Sequence, residues 1–259
     1  MTDTQDLLNY RADSQLLKDR VIAVTGASDG IGRAASMAYA AHGATVVLLS
    51  RTIPKLETVY DEIEAAGGPQ PAIYPINFEG AVEKDYEDMH QTLEQEFGRL
   101  DGLLHNASEL GQRTSIQHYA ADVWQRVLQV NVTAPFLMTR ALLPLMEKSD
   151  HASLIFTGSS VGLQGRAFWG AYSVSKAATE NLMQILAQEL DGTTSIRVNS
   201  INPGATRTKM RAGAYPAEDP ATLKTPAELM GLYLYLMGPD SKGISGRQFD
   251  AQPKPAPAN

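Results

Sequence analysis

The chain contains no cysteine among its 259 residues, which excludes disulfides, thiolate metal sites and a cysteine nucleophile. Its N-terminus lacks the basic and apolar regions of a signal peptide, and no apolar run reaches the ~18–20 residues of a membrane span. The formal net charge of −7 repels nucleic acid and anionic membrane surfaces. We therefore expect a cytoplasmic protein that binds neither nucleic acid nor membrane.

A metal-ligand pattern is also missing. The five histidines fall on different predicted elements without the spacing of metal ligands, so we expect no metal site. The chemistry of the chain must be sought in its glycine, hydroxyl and amine motifs.

Short β-branched runs alternate with longer helical patterns along the chain. Strands are predicted at 20–27, 44–51, 71–77, 100–108, 152–160, 195–204 and 247–251. Helices are predicted at 31–43, 54–68, 81–98, 119–148, 170–190 and 225–238. The alternation predicts an α/β fold, a doubly wound parallel sheet of about seven strands with helices on both faces.

The chain is expected to form a single domain over 20–251. A helical extension over 1–19 should precede it, and a flexible proline-rich tail over 252–259 should follow it. The region 209–224 breaks the helical periodicity and is either a substrate lid or an ordinary surface loop. Ligands of such sheets bind beyond the carboxyl ends of the strands, so residues directly after each strand are candidate site residues.

A glycine-rich turn follows the first predicted strand. The stretch VTGASDGIG places Gly26, Gly30 and Gly32 ahead of the first helix. Glycine lets a phosphate approach the backbone, and a helix N-terminus attracts anions. The spacing differs from G-x-G-x-x-G, so this stretch alone fits either a dinucleotide site or a turn without a ligand.

The end of the second strand bears on the choice between NAD and NADP. Ser50 stands where an acidic residue would bind the ribose hydroxyls of NAD, and Arg51 follows it. A guanidinium suits a 2′-phosphate, although a solvated surface arginine is the alternative. Asp29 in the glycine turn argues for NAD. We expect NADP, with NAD as the alternative.

Tyr172 and Lys176 are four residues apart and share one face of a predicted helix. The spacing alone fits an ordinary surface pair. Both residues begin the helix after the fifth strand, however, and Ser159 ends that strand. At this edge an ammonium can lower the pKa of a phenol. A serine hydroxyl can hold a substrate oxygen while the tyrosine gives or takes a proton.

Several ordered stretches over about residues 20–250 resemble the short-chain dehydrogenase/reductase family in its single-domain branch. They are TGASDGIG, HNAS, VNVTAPF, FTGSSVG, YSVSK and INPGATRT. A narrower resemblance, to one group of bacterial oxidoreductases, is carried by LDGLLHNAS, GRAFWGAYSVSKAATE, NPGATRTKMRA and FDAQP. The resemblance implies a Rossmann-type catalytic domain that transfers a hydride between a nicotinamide cofactor and a small-molecule carbonyl or secondary alcohol. It also implies a homodimer or homotetramer formed through the helices at 119–148 and 170–190.

The resemblance assigns roles residue by residue. Tyr172 matches the general acid/base, and Lys176 the lysine that lowers the tyrosine pKa and binds the nicotinamide ribose. Ser159 matches the serine that polarises the carbonyl, and Asn131 the asparagine that holds a water of the proton relay. The residues expected to bind the cofactor are Gly26, Ser28, Asp29, Gly30, Ile31, Gly32, Ser50, Arg51, Asn77, Phe78, Asn106, Ala107, Ser108, Tyr172, Lys176, Pro203, Gly204, Thr206 and Thr208.

Two of these positions depart from the family pattern, and two other functions stay open. Ser108 replaces a glycine, which adds a side chain near the nicotinamide ribose, and Asn77 replaces an aspartate. A dinucleotide-binding regulatory or scaffold protein without turnover is one alternative, which the intact Ser159, Tyr172 and Lys176 disfavour. A dehydratase or epimerase of the same fold is the other.

Overall fold

The computed structural model describes Leu7 and residues 9–253. The strands are β1 (Val21–Thr25), β2 (Thr45–Ser50), β3 (Ala72–Pro75), β4 (Gly102–His105), β5 (Ser153–Thr157), β6 (Arg197–Asn202) and β7 (Gln248–Asp250). The helices are α1 (Gly30–Ala41), α2 (Ile53–Ala65), α3 (Glu83–Phe97), α4 (Ala121–Leu128), α5 (Ala134–Met146), α6 (Ser160–Leu163), α7 (Gly170–Leu190), α8 (Lys209–Ala214) and α9 (Met230–Met237). In this part of the chain no helix is both long and apolar enough to cross a bilayer.

The strands form one parallel sheet in the order β3-β2-β1-β4-β5-β6-β7. The predicted doubly wound α/β sheet is therefore confirmed. The chain moves outward from β1 to β3 and then crosses back to place β4 on the other side of β1. This reversal of strand order opens a crevice at the carboxyl ends of β1 and β4, where such sheets bind ligands.

The strands are apolar on both faces, as parallel strands covered by helices require. In β1, Ile22 and Val24 face one apolar cluster, which is covered by α1, α2 and α9. Ala23 faces the opposite cluster, which is covered by α3, α5 and α7. Because both faces are packed, the polar site is confined to the edge where the strands end.

The helix predicted over 119–148 is interrupted in the structure. A π-helical segment, Gln129–Thr133, separates α4 from α5. Pro135 has no N–H group, so it cannot make the ordinary i→i−4 bond to the carbonyl of Asn131. The N–H of the preceding Ala134 donates to the carbonyl of Gln129, five residues earlier, as in a π-helix. The Asn131 carbonyl therefore points out of the helical ladder and accepts a bond from Thr179 Oγ1 at 3.3 Å.

Both ends of the described chain differ from the expectation. Residues 14–19 form turns rather than the predicted helix, because Leu17 is drawn into the core and its N–H donates to the His42 carbonyl at 2.9 Å. Gln252, predicted to lie in a flexible tail, bonds to the loop after β6 through its amide. The rest of the predicted extension, 1–6 and 8, and of the tail, 254–259, lies outside the described residues.

Candidate active site

A cleft of about 490 Å³ opens at the carboxyl ends of β1, β4, β5 and β6. All predicted site residues line it except Gly32 and Asn131. Gly32 packs against Gly26, and Asn131 is bonded to Ser108 and Glu109, so both lie directly behind the wall. The sheet edge thus brings together residues that are spread over most of the chain.

The glycine turn forms one side of this cleft. Gly26 has φ +68°, a conformation that favours glycine. A Cβ atom on Gly32 would lie 2.2 Å from the Gly26 carbonyl oxygen, so this approach of helix to turn also requires glycine. Thr25 Oγ1 accepts bonds from the N–H groups of Asn106, at 2.8 Å, and Ala107, at 2.9 Å. The packed turn ahead of the α1 N-terminus fits the diphosphate of a dinucleotide.

The end of the cleft next to β2 carries the residues expected to select the cofactor. The Ser28 and Ser50 hydroxyls are hydrogen-bonded at 2.9 Å. Arg51 is exposed, and its guanidinium donates to Glu79 Oε1 at 2.6 Å. Glu79 and Lys209 also line the cleft, and the sequence analysis missed both. Their only sequence signal was adjacency to the predicted residues Phe78 and Thr208.

Three predicted catalytic side chains meet at the other end. Ser159 follows β5 and caps α6, where the N–H of Val161 donates to its Oγ at 3.4 Å. Tyr172 and Lys176 lie one turn apart near the start of α7. The Lys176 ammonium donates to the Thr157 carbonyl at 2.8 Å and lies 5.6 Å from the centre of the Tyr172 ring.

Burial is the main influence on the pKa values of Tyr172 and Lys176. It raises the pKa of Tyr172 to about 12, and a hydrogen bond with Ser159 lowers that pKa only in part. Burial also lowers the pKa of Lys176 to about 8, which the carboxylate of Glu180 partly opposes. Desolvation of the phenolate is the larger effect on this tyrosine, and a lowering of its pKa by Lys176 stays a prediction.

The Asn131 side chain is fully bonded within the chain. Its Oδ1 accepts from Glu109 N at 2.7 Å and Ser108 Oγ at 3.2 Å. Its Nδ2 donates to the Glu109 carbonyl and to Ser175 Oγ, both at 2.9 Å. The amide has no further bond to offer, so Asn131 can hold a water only through its backbone carbonyl, which also accepts from Thr179.

An apolar pocket adjoins the catalytic tyrosine. Leu110, Met210 and Ala214 pack against the cluster of Trp169 and Tyr172, whose ring centres are 5.6 Å apart. The Arg113 guanidinium lies 3.9 Å from the centre of the Trp169 ring. An uncharged small molecule with an apolar body fits such walls.

In the described portion of the protein, no three His, Asp or Glu side chains are grouped to hold a metal ion. His105, just before Asn106, is buried, stacks on Phe156 and bonds to Thr139 Oγ1 at 2.8 Å. Burial lowers the pKa of His105 to about 3, so it is a neutral packing residue.

Comparison with known proteins decides the family. The family profile described as short chain dehydrogenase matches residues 20–219. The chain belongs to the short-chain dehydrogenase family. The predicted family and oxidoreductase class are therefore confirmed.

Relatives of this dehydrogenase match it along nearly the whole chain. It is 52% identical to "Uncharacterized oxidoreductase YciK" of Escherichia coli (strain K12), over 95% of this chain and 97% of that protein. A short chain dehydrogenase structure from Pseudomonas syringae has 57% identity and a TM-score of 0.91, over 94% of this chain and 99% of that one. Another, from Shigella flexneri 2a str. 301 complexed with NADP, has 52% identity and a TM-score of 0.91, over 93% and 100%. The narrower resemblance noted in the sequence, to YciK-type oxidoreductases, is thus confirmed.

Proposed function

We propose that this dehydrogenase transfers a hydride between NADP and the carbonyl or secondary alcohol of a small molecule. The observation that carries the proposal is the single cleft that joins the glycine turn to Ser159, Tyr172 and Lys176. The structure of the Shigella flexneri relative with NADP supports the choice of cofactor. When bound, the nicotinamide ring supplies or accepts the hydride.

The chain's own residues handle the oxygen and the proton. Ser159 Oγ donates a hydrogen bond to the carbonyl oxygen, which stabilises the charge that develops there. The Tyr172 hydroxyl gives its proton to this oxygen during reduction and takes one back during oxidation. Because the pKa of Tyr172 lies near 12, the tyrosine starts reduction protonated, in the form that an acid requires.

Lys176 and Asn131 support the tyrosine. The Lys176 ammonium, held by the Thr157 carbonyl, stabilises the tyrosinate left after proton transfer. A water on the Asn131 carbonyl can return a proton toward Lys176. The fixed amide of Asn131, with four bonds inside the protein, keeps that carbonyl in place.

We further propose that residues 209–224 form the substrate lid. The ring centre of Tyr215, just after α8, lies 6.0 Å from that of Trp169 in the pocket wall, with the two rings tilted. Arg113 reaches from the loop after β4 and donates to the Ala214 carbonyl at 3.1 Å. The Arg211 guanidinium lies over Tyr215 and is paired with Glu218. These contacts tie the segment across the apolar pocket, where it would exclude water from the reaction.

A homodimer or homotetramer and a cytoplasmic location are part of the proposal. Phe136 on α5 and Val174 and Ile185 on α7 are each 45–47% exposed, which is the apolar surface expected of a subunit interface. The double variant Phe136→Glu/Ile185→Glu should reduce the mass measured by light scattering to that of a monomer. Ile53→Glu, at a 47% exposed apolar position on α2, which covers the opposite face of the sheet, should not. Cell fractionation tests the location.

The Tyr172→Phe variant tests the function. Turnover of a carbonyl panel with NADPH, followed by nicotinamide absorbance, should fall by about 10²–10⁴-fold, while calorimetric binding of NADPH should stay within about twofold. Tyr74→Phe removes a hydroxyl of β3 that does not line the cleft and should leave both unchanged. Undiminished turnover in Tyr172→Phe would refute the mechanism, and tighter binding of NADH than NADPH would refute the cofactor choice.

A further inference from the structure

An ion pair crosses the mouth of the cleft. The Lys209 ammonium, at the start of α8, donates to Asp29 Oδ2 in the glycine turn at 2.6 Å. The two residues are 180 positions apart in the chain, and both line the cleft. The methyl of Thr208 lies beside Gly30 as well, 3.4 Å from where a Cβ would stand. The first turn of α8 is therefore docked against the glycine turn.

The Asp29 carboxylate also has a structural role. It is the N-cap of α1, and its Oδ1 accepts from the Gly30 N–H at 2.8 Å. Such a cap satisfies a free N–H of the helix and stabilises it. Hydrogen bonds from Lys209 and Gly30 lower the pKa of Asp29, so the carboxylate is ionised at neutral pH. A phosphate bound near it would meet a like charge.

Two lysines offset this charge. Lys209 is bonded to Asp29, and the Lys55 ammonium lies 3.9 Å from the same oxygen. Arg51, the residue expected to bind a 2′-phosphate, is itself paired with Glu79. With both lysines present, these five side chains carry one net positive charge. Without Lys209 the group is neutral.

We propose that Lys209 is a cofactor-specificity residue, which neutralises Asp29 so that the cleft accepts the 2′-phosphate of NADP. The inference rests on the proposed function and assigns part of the selectivity to a residue of the lid. Arg51 alone does not provide it, because its guanidinium is paired with the Glu79 carboxylate. The lid would thus contribute to cofactor choice as well as to the substrate pocket.

The test is a double-mutant cycle read by direct binding. Kd values for NADP⁺ and NAD⁺ are measured by isothermal calorimetry for the full chain and for Lys209→Met, Asp29→Asn and the double variant. Asparagine caps a helix as well as aspartate does, so Asp29→Asn removes the charge and keeps the cap. Lys84→Met, which breaks the remote ion pair with Asp88 on α3, is the matched control.

Lys209→Met should raise the Kd for NADP⁺ about threefold to tenfold and that for NAD⁺ less than about twofold, since an exposed charge acts weakly. The double variant should bring the Kd for NADP⁺ back to within about twofold of the original. Added salt should reduce the loss. Lys84→Met should change neither Kd.

Two results would overturn the inference: an equal loss for both cofactors in Lys209→Met, or no recovery of NADP⁺ binding in the double variant. Failure of the proposed function has a different signature. The unaltered chain would then bind NAD⁺ more tightly than NADP⁺, or would bind neither, before any substitution is made.

Discussion

Replacing Lys176 by methionine separates the cost of burying its ammonium from its part in the reaction. The side chain is 3% exposed, and burial lowers its pKa from 10.5 to about 8. At ~1.36 kcal/mol per pH unit, this difference destabilises the folded protein by about 3 kcal/mol at neutral pH. Substitution by methionine removes this cost, but it also removes the hydrogen bond to the Thr157 carbonyl, which contributes about 1–2 kcal/mol of stability. At pH 7, Lys176→Met should therefore be more stable than the unaltered protein by about 1–2 kcal/mol. It should also be inactive, because it lacks the ammonium that stabilises the tyrosinate.

The pH dependence gives the prediction a sharper form. The folded pKa lies below the unfolded one, so the cost is complete below pH 8 and disappears as the pH rises toward 10.5. The stability of the unaltered protein should then rise relative to Lys176→Met by about 1.4 kcal/mol per pH unit in this window. The advantage of the variant at pH 7 should vanish and reverse before pH 10.

Urea unfolding followed by circular dichroism at pH 7, 8, 9 and 9.5 measures this difference. Lys148→Met, which removes an exposed lysine paired with Glu94, is the control and should show no such trend. A constant difference between the unaltered protein and Lys176→Met across this range would refute the reasoning. It would mean that the lysine is neutral, or well hydrated, in the folded state.

Two further substitutions act on the cleft. Gly32→Ala places a methyl group 2.2 Å from the Gly26 carbonyl oxygen. It should lower the free energy of unfolding by about 1–3 kcal/mol and weaken NADP binding at least about tenfold. An unchanged affinity by calorimetry would contradict the fit of the glycine turn to the cofactor. Arg113→Ala removes the guanidinium from Trp169 and from the Ala214 carbonyl. It should raise KM for the carbonyl substrate about threefold to tenfold without changing the Kd of NADPH. An equal change in both constants would argue against the lid.

The sequence predicted the order and kind of the elements well, because parallel strands and covering helices have distinct apolar periods. It placed the strand ends too far along the chain. The strand expected over 100–108 ends at His105, since Asn106 and Ala107 give their N–H groups to Thr25 Oγ1 rather than to the sheet. The threonine that turns these residues into the cleft lies about 80 positions earlier, beyond any local pattern.

The chemistry of the site was easier to predict than its electrostatics. Tyr172 and Lys176 share a helix face, so local spacing brings them together. The partner of Asp29 was not predictable, because it depends on how the segment after β6 folds back over the glycine turn. The pKa of Tyr172 depends in the same way on the fold: the sequence shows a neighbouring cation but not the burial that raises this pKa.

During synthesis of the protein, the loop after β6 is made well before Gln252, the residue that bonds to it. Its amide nitrogen donates to the carbonyls of Pro203 and Ala205 and to Thr206 Oγ1. These acceptors leave the ribosome 46 to 49 residues before their donor. At ~5–20 residues per second this delay is about two to ten seconds. A nascent chain must therefore wait that long before Gln252 can bond to the loop after β6.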